Sequence, residues 1–249
     1  MPSSTRLHVV TRTIHCVRHG QGLHNISYAN HDLQDPPLTP FGEQQCRDIA
    51  ATFPFHDQIE LVVTSPLRRT IRTALLGFAP EVTQGVQVLA LPLLQEASTL
   101  PCDTGSELGI IKEEFKDSAV DFSLVQEGWH LKQDASLLTS AALLNRADAV
   151  RRWLQSRPEK NIVVVSHGCF LHFLTDDWNN TINVQGTGWA NTEFRSYELC
   201  DGPDNTLLLE TSESKLRRGL SLCVQTAEEQ QLLRRKTLKT WLGWGIVSG

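Results

Sequence analysis

Short apolar runs alternate along the chain with longer segments in which apolar residues recur at helical spacing. The apolar runs predict strands over residues 13–17, 60–64, 86–91, 161–165, 194–199 and 206–209. Helical spacing predicts helices over 42–52 and 137–155. A further helix is predicted to start with Ser65 as N-cap and Pro66 in its first position. Strands alternating with helices predict a three-layer, doubly wound α/β fold with a mostly parallel sheet.

Two segments depart from this alternation. Residues 97–130 are loop-like and then polar and helical, and we interpret them as a cap segment inserted into a domain spanning residues 1–212. Residues 213–249 carry seven Lys or Arg against three Glu, a basic extension with Leu238, Trp241 and Leu242 at helical spacing. Such a helix contacts a membrane surface, a partner or a second copy of the chain, or packs its apolar stripe on the domain.

Composition narrows the class of protein. With 249 residues, 40% hydrophobic and 20% charged, the chain is long and apolar enough to fold around a core, which excludes general disorder. A net charge of −5 argues against a nucleic-acid-binding protein. No apolar stretch approaches the roughly 20 residues of a membrane span, so we expect a cytoplasmic location. Six cysteines without a CxxC pair predict reduced thiols.

Two His-Gly pairs follow predicted strands. His19 and Gly20 come after the first strand and directly after Arg18, and His167 and Gly168 follow the strand at 161–165. Open α/β sheets build their sites at the carboxyl ends of strands, so both histidines are expected at one edge. A neutral imidazole there can act as a nucleophile or base. The remaining histidines lack such a setting and are assigned no role: His8, His15, His24, His31, His56, His130 and His172.

Cations and a carboxylate complete the pattern. Arg68 and Arg69 lie at a predicted helix start, where positive charge opposes the helix dipole unless an anion is held there. Glu96 follows a predicted strand, and burial would raise its pKa and allow it to donate a proton. The set predicts a phosphoryl-transfer site without a metal ion or cofactor, and no Walker loop, HExxH or zinc-ligand spacing competes with it.

The motifs together are recognisable. The chain resembles the histidine phosphatase superfamily, with its phosphoglycerate mutase-like fold, from about residue 12 to residue 200. The motifs that carry this resemblance are Arg18-His19-Gly20 with Asn25, Leu38-Thr39-Pro40-Phe41-Gly42, Ser65-Pro66-Leu67-Arg68-Arg69, Glu96 and Ser166-His167-Gly168. The segments RHGQGLHN and DPPLT look most like fungal mutase-like phosphatases.

This resemblance implies a role for each site residue. His19 would be the nucleophile that becomes phosphohistidine, and Glu96 would protonate the leaving oxygen and later activate water. Arg69 is chosen over Arg68 because the family pattern places the arginine four residues after the serine, here Ser65. The implied phosphate-binding set is Arg18, His19, Asn25, Arg69, His167 and Gly168.

Charge in the inserted segment separates the possible reactions. Residues 97–130 hold two lysines against seven acidic residues, a setting that disfavours a polyanionic substrate. We therefore expect a phosphomonoester hydrolase acting on a small molecule with a neutral or apolar leaving group, such as a prenyl or metabolite phosphate. The alternatives are a phosphoglycerate-type mutase and a non-catalytic binding protein. The aromatic residues expected to face the leaving group, unless they belong to the core, are Phe115, Phe122, Trp129, Trp178 and Trp189.

Overall fold

A mixed sheet forms the centre of the protein in the computed structural model, which describes residues 9–132, 138–179, 187–201, 206–222 and 226–248. Its strands are β1 (Val9–Arg18), β2 (Leu61–Thr64), β3 (Val88–Ala90), β4 (Val120–Asp121), β5 (Asn161–Ser166), β6 (Phe194–Asp201) and β7 (Thr206–Glu210). Their order is β4-β3-β2-β5-β1-β6-β7. The strands β4 to β1 in this order pair in parallel, and β6 and β7 add antiparallel at the edge next to β1.

Parallel pairing and burial on both faces explain the sequence pattern of the central strands. All four residues of β2 are buried, and so are the last five of β5, as expected for strands covered on both sides. The register sets Arg18 of β1 opposite Ser166 of β5, and Thr64 of β2 opposite Val165. The carboxyl ends of the three central strands therefore lie at one edge. The predicted α/β fold with a mostly parallel sheet is confirmed.

Helices pack on both sides of this sheet. They are α1 (Pro40–Thr52), α2 (Arg68–Gly77), α3 (Ala79–Thr83), α4 (Leu108–Glu114), α5 (Ser140–Ser156), α6 (Gly168–Thr175), α7 (Ser212–Arg217) and α8 (Ala227–Gly243). The predicted helix at 42–52 corresponds to α1, and the prediction at 137–155 corresponds to α5, although residue 137 lies outside the described residues. Thr39 and Thr139 cap α1 and α5 by accepting a hydrogen bond from a backbone amide in the first turn.

The predicted start of α2 was wrong by two residues. The N-cap is Leu67 and the helix begins at Arg68, so Ser65 does not cap it. The hydroxyl of Ser65 instead lies 2.9 Å from Nε2 of His167. The Arg68 amide donates to Oδ1 of the buried Asp35 at 3.0 Å, so a carboxylate from a distant loop satisfies this helix end.

Residues 97–130 lie against α2 and the β3 edge of the sheet. They contain a 3-10 turn (Pro101–Asp103), α4 and the short strand β4, which extends the sheet by pairing with β3. Phe115 is 7% exposed and packs with Ile71 and Ile111. The other aromatic residues expected to face a leaving group also pack into hydrophobic clusters: Phe122, Trp129, Trp178 and Trp189. Trp178 and Trp189 belong to the core, which is the alternative that the sequence left open, whereas Phe122 and Trp129 are half-buried.

The basic C-terminal segment completes the main core. Trp241 of α8 is fully buried, and its ring centroid lies 6.0 Å from that of Trp178 and 6.1 Å from that of Phe173. Leu238 packs on the same cluster, whereas Leu242 is half exposed. The contact agrees with the interpretation of the tail as a terminal helix that packs its apolar stripe on the domain.

Five of the six cysteines lie among the described residues. Five cysteines are free and buried, as predicted: Cys16, Cys46, Cys102, Cys169 and Cys200. Cys223 lies outside the described residues. Within the described ranges, no helix combines the length and apolar character needed to cross a bilayer. The cytoplasmic location stays a prediction.

Candidate active site

The ends of β1 and β5 bring the two predicted site histidines together. The His19 amide donates to the carbonyl of Ser166 at 3.0 Å, which continues the β1–β5 pairing by one residue. The ring centroids of His19 and His167 then lie 5.3 Å apart. Both side chains are at least 98% buried. The sheet edge therefore holds two adjacent imidazoles, as the sequence predicted.

His19 is held as a neutral imidazole. Its Nδ1 lies 2.7 Å from the carbonyl oxygen of Gly20, so Nδ1 carries the proton and Nε2 keeps its lone pair. Burial lowers the pKa of His19 well below its ordinary value, and the positive charges of Arg69 and Arg18 lower it further. Nε2 is therefore available as a nucleophile across the physiological pH range.

Arg69 is fully buried and tied to three groups. Its Nη1 donates to the carbonyl of Cys102 at 2.6 Å, and its Nη2 lies 3.0 Å from Oδ1 of Asp103 and 3.1 Å from Nδ1 of His167. These contacts fix the plane of the guanidinium, which is what recognition of an oxyanion requires.

Arg68 points elsewhere. Its Nε lies 2.7 Å from Oε2 of Glu114, and the Arg68 side chain is one-third exposed. The structure thus places Arg69, and not its neighbour, with the two histidines.

Both arginines of the predicted site keep an unsatisfied donor. Nη1 of Arg18 donates to the carbonyl of Trp189 at 2.5 Å. The Nε atoms of Arg18 and Arg69 are buried and have no hydrogen-bond partner among the described residues. Buried donors without partners are rare, and two of them beside His19 are what an anion-binding pocket provides.

His167 orients Arg69 in this structure. Since Arg69 donates to Nδ1, the proton of His167 is on Nε2, which donates to the hydroxyl of Ser65. Burial lowers the pKa of His167 well below its ordinary value, and the charge of Arg69 acts in the same direction. Direct contact of His167 with a phosphoryl group would have to replace one of these two hydrogen bonds.

Glu96 is held at the amino end of α6. Its Oε1 accepts from the amides of Ala97 at 2.8 Å and Phe170 at 2.9 Å, and its Oε2 accepts from Cys169 at 3.1 Å. Burial raises the pKa of Glu96, the negative charge of Asp103 raises it further, and these amide contacts partly oppose the shift. A buried carboxyl of this kind keeps its proton to higher pH and can act as a general acid.

Gly168 and Asn25 lie beside the site with structural contacts of their own. A Cβ on Gly168 would lie 2.0 Å from Oγ1 of Thr187, so the close approach of that loop requires glycine. Oδ1 of Asn25 accepts from the amide of Gly22 at 3.0 Å and from Asn191 at 3.3 Å. The Nδ2 group is thus the part of Asn25 that would donate to a phosphate.

One histidine beside His19 was not expected there from the sequence. His24, to which no role was assigned, is only 6% exposed, and its ring centroid lies 5.3 Å from that of His19. A 3-10 turn (Leu23–Asn25) folds it back beside the strand end. Its position one residue before Asn25 was the available clue.

A second omission is the carboxylate of Asp103, which was counted only as part of an acidic segment. Ser98 donates to its Oδ2 at 2.5 Å while Arg69 occupies its Oδ1. Nζ of Lys132 donates to the carbonyls of Glu96, Ser98 and Asp103 at 3.0, 2.6 and 2.8 Å. Burial lowers the pKa of Lys132 to about 8. Through its three hydrogen bonds, Lys132 holds together the loop that carries Glu96 and Asp103.

Comparison with known proteins agrees with this geometry. The model of the histidine phosphatase superfamily (branch 1) matches residues 14–205. Phosphoglycerate mutase-like protein 1 of Arabidopsis thaliana is 31% identical over 85% of this chain and 90% of its own length. A probable phosphatase of Schizosaccharomyces pombe is 27% identical over 64% of this chain and 75% of its own length.

Solved structures show the same fold at low identity. The ecdysone phosphate phosphatase of the silkworm Bombyx mori, in complex with tungstate, has a TM-score of 0.56 at 15% identity, covering 87% of this chain and 96% of its own. YhfR of Bacillus stearothermophilus has a TM-score of 0.53 at 17% identity, covering 82% and 96%. The family match over residues 14–205 and the relative at 31% identity show that the chain belongs to the histidine phosphatase superfamily.

Proposed function

We propose that this protein is a metal-independent phosphomonoester hydrolase that acts through a phosphohistidine on Nε2 of His19. The observation that carries the proposal is the neutral, buried His19 flanked by two arginines whose Nε donors have no partner among the described residues. A loose phosphoryl-transfer transition state requires positioning and positive charge, and two guanidiniums provide both without a metal ion.

The proposed reaction has two displacements. Nε2 of His19 attacks phosphorus, the bond to the ester oxygen breaks, and that oxygen takes the proton of Glu96. Water then attacks the phosphohistidine, giving its proton to the Glu96 carboxylate as the P–N bond breaks, and orthophosphate leaves. The raised pKa of Glu96 suits the first step, and its ionised form serves as the base in the second.

Charge near the site favours a leaving group without further negative charge. Glu96 and Asp103 lie on one loop beside Arg69, so a second anionic group of a substrate would meet two carboxyls. A phosphoglycerate-type mutase needs cations at that place. Of the five aromatic side chains expected to face an apolar leaving group, three are buried in hydrophobic clusters and two, Phe122 and Trp129, are half-buried, which weakens the support for a prenyl phosphate.

The first test is hydrolysis of p-nitrophenyl phosphate between about pH 5 and 8. We expect turnover by the wild type that survives EDTA, and a loss of about 10³-fold or more in His19→Ala. Enzyme quenched in alkaline SDS should carry a phosphoryl group that is stable to alkali and lost in acid, as expected for phosphohistidine.

Two arginine variants give a matched control. Arg69→Ala should lose most activity, whereas Arg68→Ala, which breaks the one-third exposed ion pair with Glu114, should change it little. Equal turnover by the wild type and His19→Ala would contradict the phosphohistidine on His19. Transfer between phosphoglycerates without release of orthophosphate would establish the mutase, and phosphate binding without turnover would establish a binding protein.

A further inference from the structure

His24 has a buried nitrogen that no protein group satisfies. Its Nδ1 has no hydrogen-bond partner among the described residues, and the residue is 94% buried. The ring lies beside the nucleophile, with its centroid 5.3 Å from that of His19 and a tilt of 49° between the two planes. Buried polar atoms without partners call for a physical explanation, and a ligand atom is one.

The ring of His24 packs closely against Gly22. A Cβ on Gly22 would lie 2.7 Å from both Nδ1 and Cε1 of His24, and 3.5 Å from Cδ of Arg69. The Nδ1 edge of His24 therefore packs against the Gly22 backbone, on the side where Cδ of Arg69 also approaches it. Nδ1 of His24 and Cδ of Arg69 both lie within 3.5 Å of that Cβ position, so Nδ1 lies near the proposed anion pocket.

His24 is neutral beside these cations. Burial lowers its pKa far below the ordinary value, and the charges of Arg69 and Arg18 lower it further. A neutral imidazole adds no charge to a phosphate pocket that already has two guanidiniums. It offers one N–H donor and one lone pair, and a hydroxyl group, which both donates and accepts, can satisfy Nδ1 in either tautomer.

A row of rings leads outward from His24. His31 follows with its ring centroid 6.4 Å away, and Tyr28, which is 83% exposed, lies 5.0 Å from His31. The Nδ1 of His31 is also buried without a partner among the described residues. Polar edges and ring faces in one row suit a molecule with hydroxyls on a carbon ring or chain.

We propose that Nδ1 of His24 binds a hydroxyl of the substrate's leaving group, which makes a sugar or polyol phosphate the substrate class. The inference rests on the proposed hydrolase, since it assumes that the ester phosphate occupies the arginine pocket. It names a specificity residue next to the nucleophile and a neutral, hydroxylated leaving group.

Matched ligand pairs test the proposal without turnover. Binding is measured by calorimetry on a His19→Ala background, with glucose 6-phosphate against cyclohexylmethyl phosphate, and glycerol 3-phosphate against propyl phosphate. The two ligands of each pair share the size of the ring or chain that carries the phosphate, and they differ in the polar oxygens on it. In at least one pair we expect the hydroxylated ligand to bind about tenfold tighter or more, because it satisfies an otherwise unpaired buried nitrogen.

Substitution of His24 should remove this preference. His24→Phe keeps the ring and loses the nitrogens, so the affinity ratio within the pair should fall to about one. Gly22→Ala keeps the imidazole but displaces it, and should lower the ratio in the same way. His56→Phe, whose histidine pairs with Glu81 away from the site, should leave the ratio unchanged.

Three results would overturn the assignment. The first two are an affinity ratio near one for both pairs before His24 is replaced, and an affinity ratio that survives His24→Phe. The third is an equal fall in affinity for both ligands of a pair in His24→Phe, which would place His24 on the phosphate itself. Failure of the hydrolase is recognised separately, because the wild type would then release no orthophosphate from any of the four esters while the binding ratios still report on His24.

Discussion

The guanidinium of Arg69 forms an ion pair with Asp103, with Nη2 and Oδ1 3.0 Å apart and the Arg69 side chain fully buried. The carboxylate comes from the inserted segment and the arginine from the first turn of α2. Asp103 thus neutralises part of the charge that the phosphate pocket would offer. A phosphate dianion has to share Arg69 with this carboxylate or displace it.

Removal of the Asp103 charge should strengthen anion binding. Asp103→Asn keeps the shape and an acceptor for Arg69, so we expect orthophosphate or vanadate to bind about tenfold tighter near pH 7. The measurement is the inhibition constant against p-nitrophenyl phosphate. Asp117→Asn removes the same charge at an exposed position, where solvent and salt screen it, and should have little effect. Unchanged or weaker anion binding in Asp103→Asn would contradict competition between Asp103 and phosphate for Arg69.

Substitution of Glu96 should reveal its role as a proton donor. The raised pKa means that Glu96 keeps its proton to higher pH than an ordinary glutamate, and the wild-type rate should fall as pH rises through that pKa. Glu96→Gln should lose about 10²- to 10⁴-fold in kcat/KM on an alkyl phosphate, and this decline with pH should vanish.

A second ester, p-nitrophenyl phosphate, is the internal control for this experiment. p-Nitrophenolate departs without a proton, so Glu96→Gln should cost much less on that substrate. Glu113→Gln, at a largely exposed position, should resemble the wild type on both. Equal losses on the two esters would mean that Glu96 has a structural role at the amino end of α6.

Gly168 is predicted to be intolerant of a side chain. The Cβ of Gly168→Ala would lie 2.0 Å from Thr187, and the required shift should cost about 1–3 kcal/mol of the free energy of unfolding and lower activity. Gly109→Ala is the matched control. Gly109 lies in α4 with open space around it, so alanine there should stabilise by up to about 1 kcal/mol. Chemical denaturation of both variants decides between these opposite signs.

The contact of α8 with the core predicts a large effect at Trp241. Trp241→Ala removes a fully buried indole and should lower the free energy of unfolding by about 3–5 kcal/mol. Trp244→Ala, at a 56% exposed position, should change it by less than about 0.5 kcal/mol. Truncation after Ser212 should prevent stable folding. A truncated protein that folds and stays active would restore the tail as a separate binding segment.

The architecture could be predicted because it depends on short stretches of sequence. Burial on both faces makes a central parallel strand apolar throughout, as in β2 and β5, and such runs are visible without a structure. Parallel strands also end at one edge, so residues directly after them, such as His19 and His167, could be expected to meet.

Tertiary structure alone decided the contacts between segments that are distant in sequence. The start of α2 depends on Asp35, which accepts from the Arg68 amide, and the hydroxyl of Ser65 is engaged by His167. The role of Asp103 depends on a loop returning to Arg69. Local spacing carries no information on any of these pairs, because a hydrogen bond or ion pair is set by where two chain segments lie in space.

The same distinction applies to the site and to the tail. By itself the sequence determined six of the seven described strands, the paired histidines, the arginine cluster and the acid after the third strand, because each follows from local apolar and polar pattern. It did not predict β4, a two-residue strand too short to show such a pattern. Only the folded chain showed that His24 lies against the nucleophile and that Trp241 is buried on Trp178. Burial and exposure of a given side chain depend on what packs against it, and that is a property of the whole fold.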